Sequence, residues 1–556
     1  MLFLQTDFDR VMNNKEREPW KTLLAKLIDH CDSLAANPFP ESDRTRHNWT
    51  LERARVLLDV TASLGVCYKL TGEIKYARRT IEFLLESIDW ELWFYKTEVT
   101  DCSPYDLGTA ETAMAFAIAL PLIRDAISGE EHNFCLKALD RRVLTVYLEN
   151  TAPGDIKVWW HNCLNNWNCV CNGGQLAISA YMQSCGYETE RAAVAIDRAL
   201  KGLKVYFDAM HGDGSCEEGV GYWGYATKYF TMALLYWENA TGEKHSFFDT
   251  EKCAKWLRFP FVMSSGNAAL GFCDSNCVFS CEMAYAYAAR INDAATLVET
   301  AALLRSEEYE NVWSLMFTRG GSPTPEPGVS PAPGVSGREV IWYPDNGWAV
   351  FRSGEYALSF RSGSTEVSHS QKDLQSIQLA RGGEALLENI GNHPYPVGWF
   401  GSYRGMYWEE NTTSKNAPLF NGIGQDHLAT AVFEREGDRI VSEAAAAYPD
   451  FITRVWRGVG FSDEGVFCVD DELEAKQEMY HELRFLSPGC FKRISANKAR
   501  VERGGQSAEL CFKCGEAFDI WIGETLLSVP VHPVISILRV FTTTPVLRTV
   551  WKTIIC

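Results

Sequence analysis

The sequence has no apolar run long enough to cross a membrane. Its longest, Ala113–Ile123, is about half of the ~20 residues a spanning helix needs, and it contains Pro121. Positive charge is scarce as well. The chain has 53 Lys and Arg against 72 Asp and Glu, a net −19, so its global field does not favour nucleic acid or an anionic membrane. An acidic sugar stays open to it through a local basic cleft. The opening residues, MLFLQTDFDR, lack the basic segment and long apolar stretch of a secretory signal. The 18 Cys form no regular framework. Together these features set the expectation of a reducing, cytoplasmic setting, or a periplasmic or secreted one if a leader was removed ahead of the numbering. Cys273, Cys277 and Cys281 are spaced four apart, and Cys511 and Cys514 form a lone CxxC. Neither has the second pair or paired His of a zinc finger.

What is present is a globular composition: 556 residues, 46% hydrophobic and 22% charged, enough for two large domains. The 18 Trp suit sugar-stacking surfaces and large cores alike. The stretch Ser322–Gly337, SPTPEPGVSPAPGVSG, reads as a linker or surface loop. It divides the chain into residues 1–321, 322–337 and 338–556. Before it, apolar spacing of three and four predicts helices at Arg53–Leu70, Tyr76–Ile88, Leu107–Ile127, Cys135–Leu148, Glu190–Met210, Lys228–Trp237 and Ala284–Leu304. Two of these run into Thr-Gly-Glu turns at Gly72 and Gly242, a helix C-cap signal. After it, short alternating runs predict strands, among them Trp348–Arg352, Tyr356–Phe360, Phe451–Trp456, Val466–Asp470, Ala508–Phe512 and Phe518–Ile522. A helical half followed by an antiparallel β half is the expected architecture.

Three segments concentrate polar chemistry. Trp159–Gly174, WWHNCLNNWNCVCNGG, offers His161, Asn162, Asn165, Asn166 and Asn168 among three Trp. It reads either as a loop whose Asn side chains satisfy backbone groups or as a site of neutral amide donors beside aromatic platforms. Asp213–Tyr225, DGSCEEGVGYWGY, reads as a shaped loop opening a helix, with Glu217 and Glu218 near its N-terminus. Val367–Asn392 carries His369, Lys372 and Asp373 before a strand, then Glu388 after a Gly turn.

In this order the three segments resemble the heparinase II/III-like polysaccharide lyases, a superfamily that also includes oligoalginate lyases and dermatan sulfate epimerases. The residues that carry the resemblance are EGVGYWGY at Glu218–Tyr225, NNWNCVCNGG at Asn165–Gly174, SHSQKDLQSIQL at Ser368–Leu379 and LLENIG at Leu386–Gly391. The resemblance implies an N-terminal (α/α) toroid followed by a C-terminal antiparallel β-sandwich. It also implies β-elimination on a uronate: neutralise the carboxylate, remove the C5 proton, protonate the leaving O4. By resemblance, Asn166, then Asn165, neutralises the carboxylate. Tyr222 is the catalytic Tyr, with Tyr225 behind it, provided neighbouring positive charge lowers a phenol pKa of about 10. His369 matches the catalytic His of the β domain, as base or as an aid to Tyr222. His161 is a further candidate from its residue type and place alone. Asn162, Asn165, Trp167, Glu218, Tyr225, Trp399 and Arg404 are candidates for contacting substrate.

Two departures stand out. Trp167 replaces the His that many relatives carry after the Asn pair, which argues against cleaving both uronate epimers with two separate bases unless His161 substitutes. A structural zinc known in some relatives would fall to Gln371, Glu388 and Lys415. Gln is a rare ligand and charged Lys repels a cation, so zinc is expected to be absent, with Lys415 supplying the positive charge and pairing with Glu388. A different cation on Asp373 or His369 stays open. Arg361, Arg381, Lys372 and Arg404 are candidates for a basic patch, and Tyr395, Trp399, Tyr403, Tyr407 and Trp408 for an aromatic cover. The leading expectation is a lyase acting on glycosaminoglycans or, second, alginate oligomers, probing chain ends; its partner is an acidic polysaccharide or oligosaccharide, not nucleic acid or membrane. A C5-epimerase, a glycoside hydrolase using Glu217 or Glu218, and a non-catalytic sugar-binding protein are the alternatives.

Overall fold

The computed structural model describes the whole chain except residues 45–47, 95–103, 249–250, 276–281, 294–295, 298–299, 301–311, 318–336, 392–394, 396–403 and 527–533. Most of the linker segment, and Cys277, Cys281, Trp399 and Tyr403, thus lie outside the described residues.

The helical half runs α1 (Gln5–Asn14), α2 (Trp20–Ala36), α3 (Trp49–Thr71), α4 (Ile74–Ile88), α5 (Leu107–Ile123), α6 (Gly129–Leu139), α7 (Thr145–Asn150), α8 (Asn166–Ser184), α9 (Thr189–Ala209), α10 (Val220–Thr241), α11 (Glu251–Val262) and α12 (Glu282–Ile291). Packing contacts link α3 to α5, α5 to α8, α8 to α10, α10 to α12, α12 to a short helix at Val312–Phe317, and that helix back to α3. This closes a ring, with α2, α4, α9 and α11 packed against its members. A helix enclosed by neighbours buries every face, and α5 does so over nearly its whole length. The Thr-Gly-Glu turns behave as the sequence predicts. Gly72 (φ 76°) and Gly242 (φ 77°) are left-handed C-caps whose N–H groups donate to the Tyr68 and Glu238 carbonyls. The predicted helix Cys135–Leu148 is instead α6 and α7 joined through a wider turn at Asp140–Leu144.

Two short hairpins, β1 (Thr151–Ala152) with β2 (Asp155–Ile156) and β3 (Ser264–Ser265) with β4 (Ala268–Ala269), decorate the helical half. The β half is antiparallel throughout. Its first sheet is β5 (Arg338–Tyr343), β6 (Trp348–Ser353), β7 (Tyr356–Arg361), β8 (Ile377–Arg381) and β9 (Glu384–Leu387) in sequence order. An eight-stranded sheet and a four-stranded sheet, built from Pro418 to Ile555, complete the sandwich. Side chains alternate across the first sheet. Phe351, Leu358, Leu379 and Leu387 lie in register on one face and join the sandwich core. Trp348 and Val350, on the other face, join the core of the helical half.

That shared core fixes the two halves against each other, and polar bridges reinforce it. Arg352 donates to the Val262 and Ser264 carbonyls at 2.8 Å each, and Gln378 donates to the Gly271 carbonyl. Asp213 and Asp345 each accept the other's backbone N–H, at 2.9 and 3.1 Å. The β3–β4 turn meets the β8–β9 turn at Gly266 and Gly383, both with positive φ. A Cβ at Gly266 would stand 2.9 Å from the Gly383 Cα, so this meeting requires glycine.

Candidate active site

The Asn-rich segment runs from a short turn at Trp159–Asn162 through irregular backbone into the start of a helix, and Asn165 and Asn168 satisfy backbone groups along it. Asn165 caps α8, its Oδ1 accepting the Trp167 N–H at 3.1 Å. Asn166, the first helical residue, is buried. Its backbone N–H and Nδ2 donate to the two carboxylate oxygens of Glu218, each at 2.9 Å. Glu218 is buried too, and both its oxygens hold Asn166 in place. Burial pushes its carboxyl up, against the opposing His369 and Asn166. Asn166 Oδ1 is buried, with no hydrogen-bond partner among the described residues. Asn165 is half-buried and extends Nδ2 to within 3.5 Å of Ser368 Oγ, in the β half.

Gly219 (φ 87°) turns the chain into α10 and places Tyr222 in its first turn. Tyr222 reaches across the seam between the halves. Its ring stacks on the His369 imidazole, centroids 3.8 Å apart and planes 20° apart, and its hydroxyl is hydrogen-bonded to the Tyr395 hydroxyl. His369 sits in a left-handed backbone conformation (φ 61°), an uncommon one for a side-chain-bearing residue and typical of functional sites. Its Nδ1 lies 3.2 Å from Asp274 Oδ2, and its Nε2 3.9 Å from Glu218 Oε1.

Asp274 was not among the residues the sequence singled out, yet it organises this site. Arg404 grips both its oxygens at 3.0 Å, and Gln371 Nε2 donates to Oδ1 at 2.8 Å. Burial alone would raise the Asp274 carboxyl. The His369 hydrogen bond and the Arg404 charge outweigh it and bring it down to about 2. Arg404 also holds Glu410, at 2.9 Å from Nε. Burial and the nearby Asp274 charge push Glu410 up to about 9.

The remaining expectations divide. Tyr222's phenol is not lowered but raised well above its ordinary value, by burial and then by Asp274, with Tyr395 and Arg55 opposing. His161 is buried in the helical half, Nδ1 3.0 Å from Asn172 Oδ1, in a network with Asn168 and Tyr147; burial lowers its pKa. Asn162 is exposed. Trp167 is half-buried and packs on Trp159 (4.9 Å), which is 52% exposed and was not singled out. The Tyr225 hydroxyl donates to buried Glu111. Of the predicted basic patch, only Arg404 reaches the site. Arg361 is buried against Asp373, Arg381 ties to Ser507 and Glu355 within the β half, and Lys372 donates to the Asp426 carbonyl.

The zinc-matching positions do not suit a cation. The buried Lys415 ammonium donates to Gln371 Oε1 and to the Ile390 and Glu409 carbonyls. Its three donors are thus spent on neutral acceptors, not on the expected Glu388. Burial lowers Lys415 to about 8, against the pull of Asp373, Glu410 and Asp274. Asp373, the other candidate, is taken by Arg361 and Asn389. Among the described residues, the one group close enough to share an ion is Glu509, Cys511 and Cys556, in the sandwich. A groove of about 590 Å³ on the eight-stranded sheet, lined by Trp456, Lys513 and Lys552 among others, contains none of the residues above.

The loop that supplies His369, Asp373 and Gln371 lies in a recognisable domain. Residues 335–526 match the heparinase II/III-like C-terminal family. No curated protein matches the chain in sequence. The heparinase-like β half and the helical ring together have the toroid-plus-sandwich fold of solved lyase structures. A heparinase III gene product superposes with a TM-score of 0.63 at 14% identity, over 96% of this chain and 83% of that one. A heparan sulfate lyase from Pedobacter heparinus gives 0.52 at 12% identity, over 99% and 92%. A chondroitin AC lyase variant from Streptomyces coelicolor A3 gives 0.55 at 11%, over 99% and 82%. At these identities the likeness establishes the shared fold.

Proposed function

We propose that the protein is a polysaccharide lyase that cleaves uronate-containing chains by β-elimination, with glycosaminoglycans as the first substrate class and alginate oligomers as the second. The observation that carries this is the stacking of Tyr222 on His369 across the seam, beside the Asn165–Asn166 pair. It unites a proton donor, a proton acceptor and amide donors in one place.

The roles follow from the electrostatics. A phenol raised above its ordinary value keeps its proton, so Tyr222 acts as the acid that protonates the departing O4. His369, its Nδ1–H directed at Asp274, presents Nε2 as the base for the C5 proton. The Asp274 carboxylate then stabilises the imidazolium that forms. The Tyr395 hydrogen bond steadies the phenolate left on Tyr222. Asn165 Nδ2 and the second hydrogen of Asn166 Nδ2 supply donors where charge builds on the carboxylate, and Glu218, holding the first hydrogen, sets the Asn166 orientation. The positions matching the family zinc take no part, and we propose that the enzyme works without it.

A hydrolase would need two carboxylates flanking the bond. Glu218 is committed to Asn166, and Glu217 lies toward His211, 4.0 Å from its Nε2. An epimerase would use the same groups but return the C5 proton without forming a double bond.

The test is ultraviolet absorbance of an unsaturated uronate product, over heparin, heparan, chondroitin, dermatan, hyaluronan and alginate as polymers and oligomers. Tyr222→Phe is expected to lose about 10³-fold in kcat while keeping its thermal midpoint. Product sizes separate trimming from chain ends from internal cleavage. No absorbance on any substrate, with deuterium uptake at C5 from heavy water, would replace the lyase with an epimerase.

A further inference from the structure

Next to Tyr222 stands a guanidinium that no motif draws attention to. Arg55, on α3, places Cζ 4.8 Å from the centre of the Tyr225 ring and Nε 3.2 Å from Glu111 Oε1. Glu111, on α5, has no exposed surface, and the same Oε1 accepts the Tyr225 hydroxyl. A buried carboxylate and an aromatic face therefore hold the guanidinium from behind. Its side chain is nevertheless 41% exposed, and the protein groups it faces, Glu111 and the Tyr225 hydroxyl, lie together on the anchored side. It is also close to the reacting groups. Tyr225 follows Tyr222 by three residues on α10, one helical turn, and the Arg55 charge acts directly on the Tyr222 phenol.

An arginine needed only to tie α3 to α5 would turn its fork towards acceptors of the protein. Here Glu111 and Tyr225 anchor the guanidinium while much of the side chain stays exposed, which leaves donors of the fork for a planar anion. We propose that Arg55 is an anion-binding residue of the active site, gripping a carboxylate or sulfate ester of the sugar chain that lies against Tyr222. The proposal rests on the lyase reading above. Glu111 and Tyr225 are then positioning residues. This would also supply the local positive charge that a chain of net −19 needs to hold an acidic substrate.

Two sets of oligosaccharides distinguish the anion: unsulfated uronate oligomers and sulfated ones of the same length. Binding is measured by calorimetry on Tyr222→Phe protein, so that no turnover intervenes. Adding Arg55→Gln is expected to weaken binding about tenfold or more. Loss on both sets assigns a carboxylate; loss on the sulfated set alone assigns a sulfate. Arg55→Lys keeps a charge for Glu111 but not the fork, and is expected to recover only part of the affinity. It also serves if the Gln variant does not fold. In the active enzyme, Arg55→Gln raises KM more than it lowers kcat. Equal binding by Tyr222→Phe with and without Arg55→Gln, or full recovery of KM by Arg55→Lys, would overturn the proposal. No binding of either set by Tyr222→Phe, together with no unsaturated product from the wild type, would remove the lyase reading and this proposal with it.

Discussion

Two carboxyl groups held by Arg404 make opposite demands on pH. Asp274 is held at about 2, below its unfolded value near 4. Its native pairing therefore stabilises the fold above pH 4, and that contribution, about 2 kcal/mol, is lost as pH falls towards 2. Asp274→Asn also leaves Arg404 short of its partner. It is expected to cost about 3 kcal/mol or more in urea unfolding at pH 7, and progressively less at pH 3. Glu410 runs the other way, because its native pKa is raised to about 9. The folded protein keeps a proton that the unfolded chain releases above about pH 4.5, so stability falls with rising pH across that range. Glu410→Gln is thus expected to match the wild type near pH 4 and to exceed its thermal midpoint as pH approaches 9. An unchanged difference across the range would contradict the buried, protonated Glu410. For Lys415, metal analysis of protein purified without tags or added metal is expected to find no stoichiometric zinc; one zinc per chain, lost on Glu388→Ala, would contradict this.

At the scale of elements, α8 is where close packing overrides propensity. Its first turns are Asn, Cys and Gly, residues that read as a loop. Yet Gly174 lies so close to α5 that a Cβ there would stand 2.3 Å from the Ala110 carbonyl oxygen. Asn168 and Asn172 serve the buried His161 and Tyr147 network instead of breaking the helix. In an exposed helix, Gly→Ala gains about 1 kcal/mol. Gly174→Ala is expected instead to lose about 2 kcal/mol or more, measured by chemical denaturation, because the intruding atom meets backbone. This is also where the sequence was hardest to read. Helices with one apolar stripe, such as α4 and α9, follow from spacing, and so do the strands of the alternating half. The ends of α3 and α10 follow from Gly72 and Gly242. Helix α8 depends on contacts with α5 and α10 that local pattern does not encode. The site divides in the same way. Tyr222, His369 and Asn166 carry motif signals, and the fold unites them. Asp274, Glu410, Arg55 and Glu111 are single charges far apart in sequence, and only their meeting in the fold reveals them. Asp274 and Glu111 each left a trace, as isolated acids in the apolar stretches Ala268–Phe279 and Leu107–Ile123.

At the scale of the molecule, the first β-sheet belongs to two cores at once. Trp348 and Val350 pack with the helical ring, while Ala349 and Phe351 pack with the sandwich. The halves should therefore melt together. Calorimetry is expected to give one transition, and two well-separated transitions would indicate that the shared core adds little.

The meeting of Gly266 and Gly383 has a consequence for how such a protein can be recombined. Tyr222, the proposed proton donor, belongs to one half and His369, the proposed acceptor, to the other, and the two turns touch at the same seam. A chimera that grafts another β half onto this ring inherits that close approach only if Gly266 is kept and the incoming turn leaves it room. Gly266→Ala would act as a shim about a methyl group thick, because its Cβ would press on the Gly383 Cα. A misplacement near 1 Å is enough to cost about 100-fold in rate. Such a hybrid could fold, pass every stability assay and still be a poor catalyst.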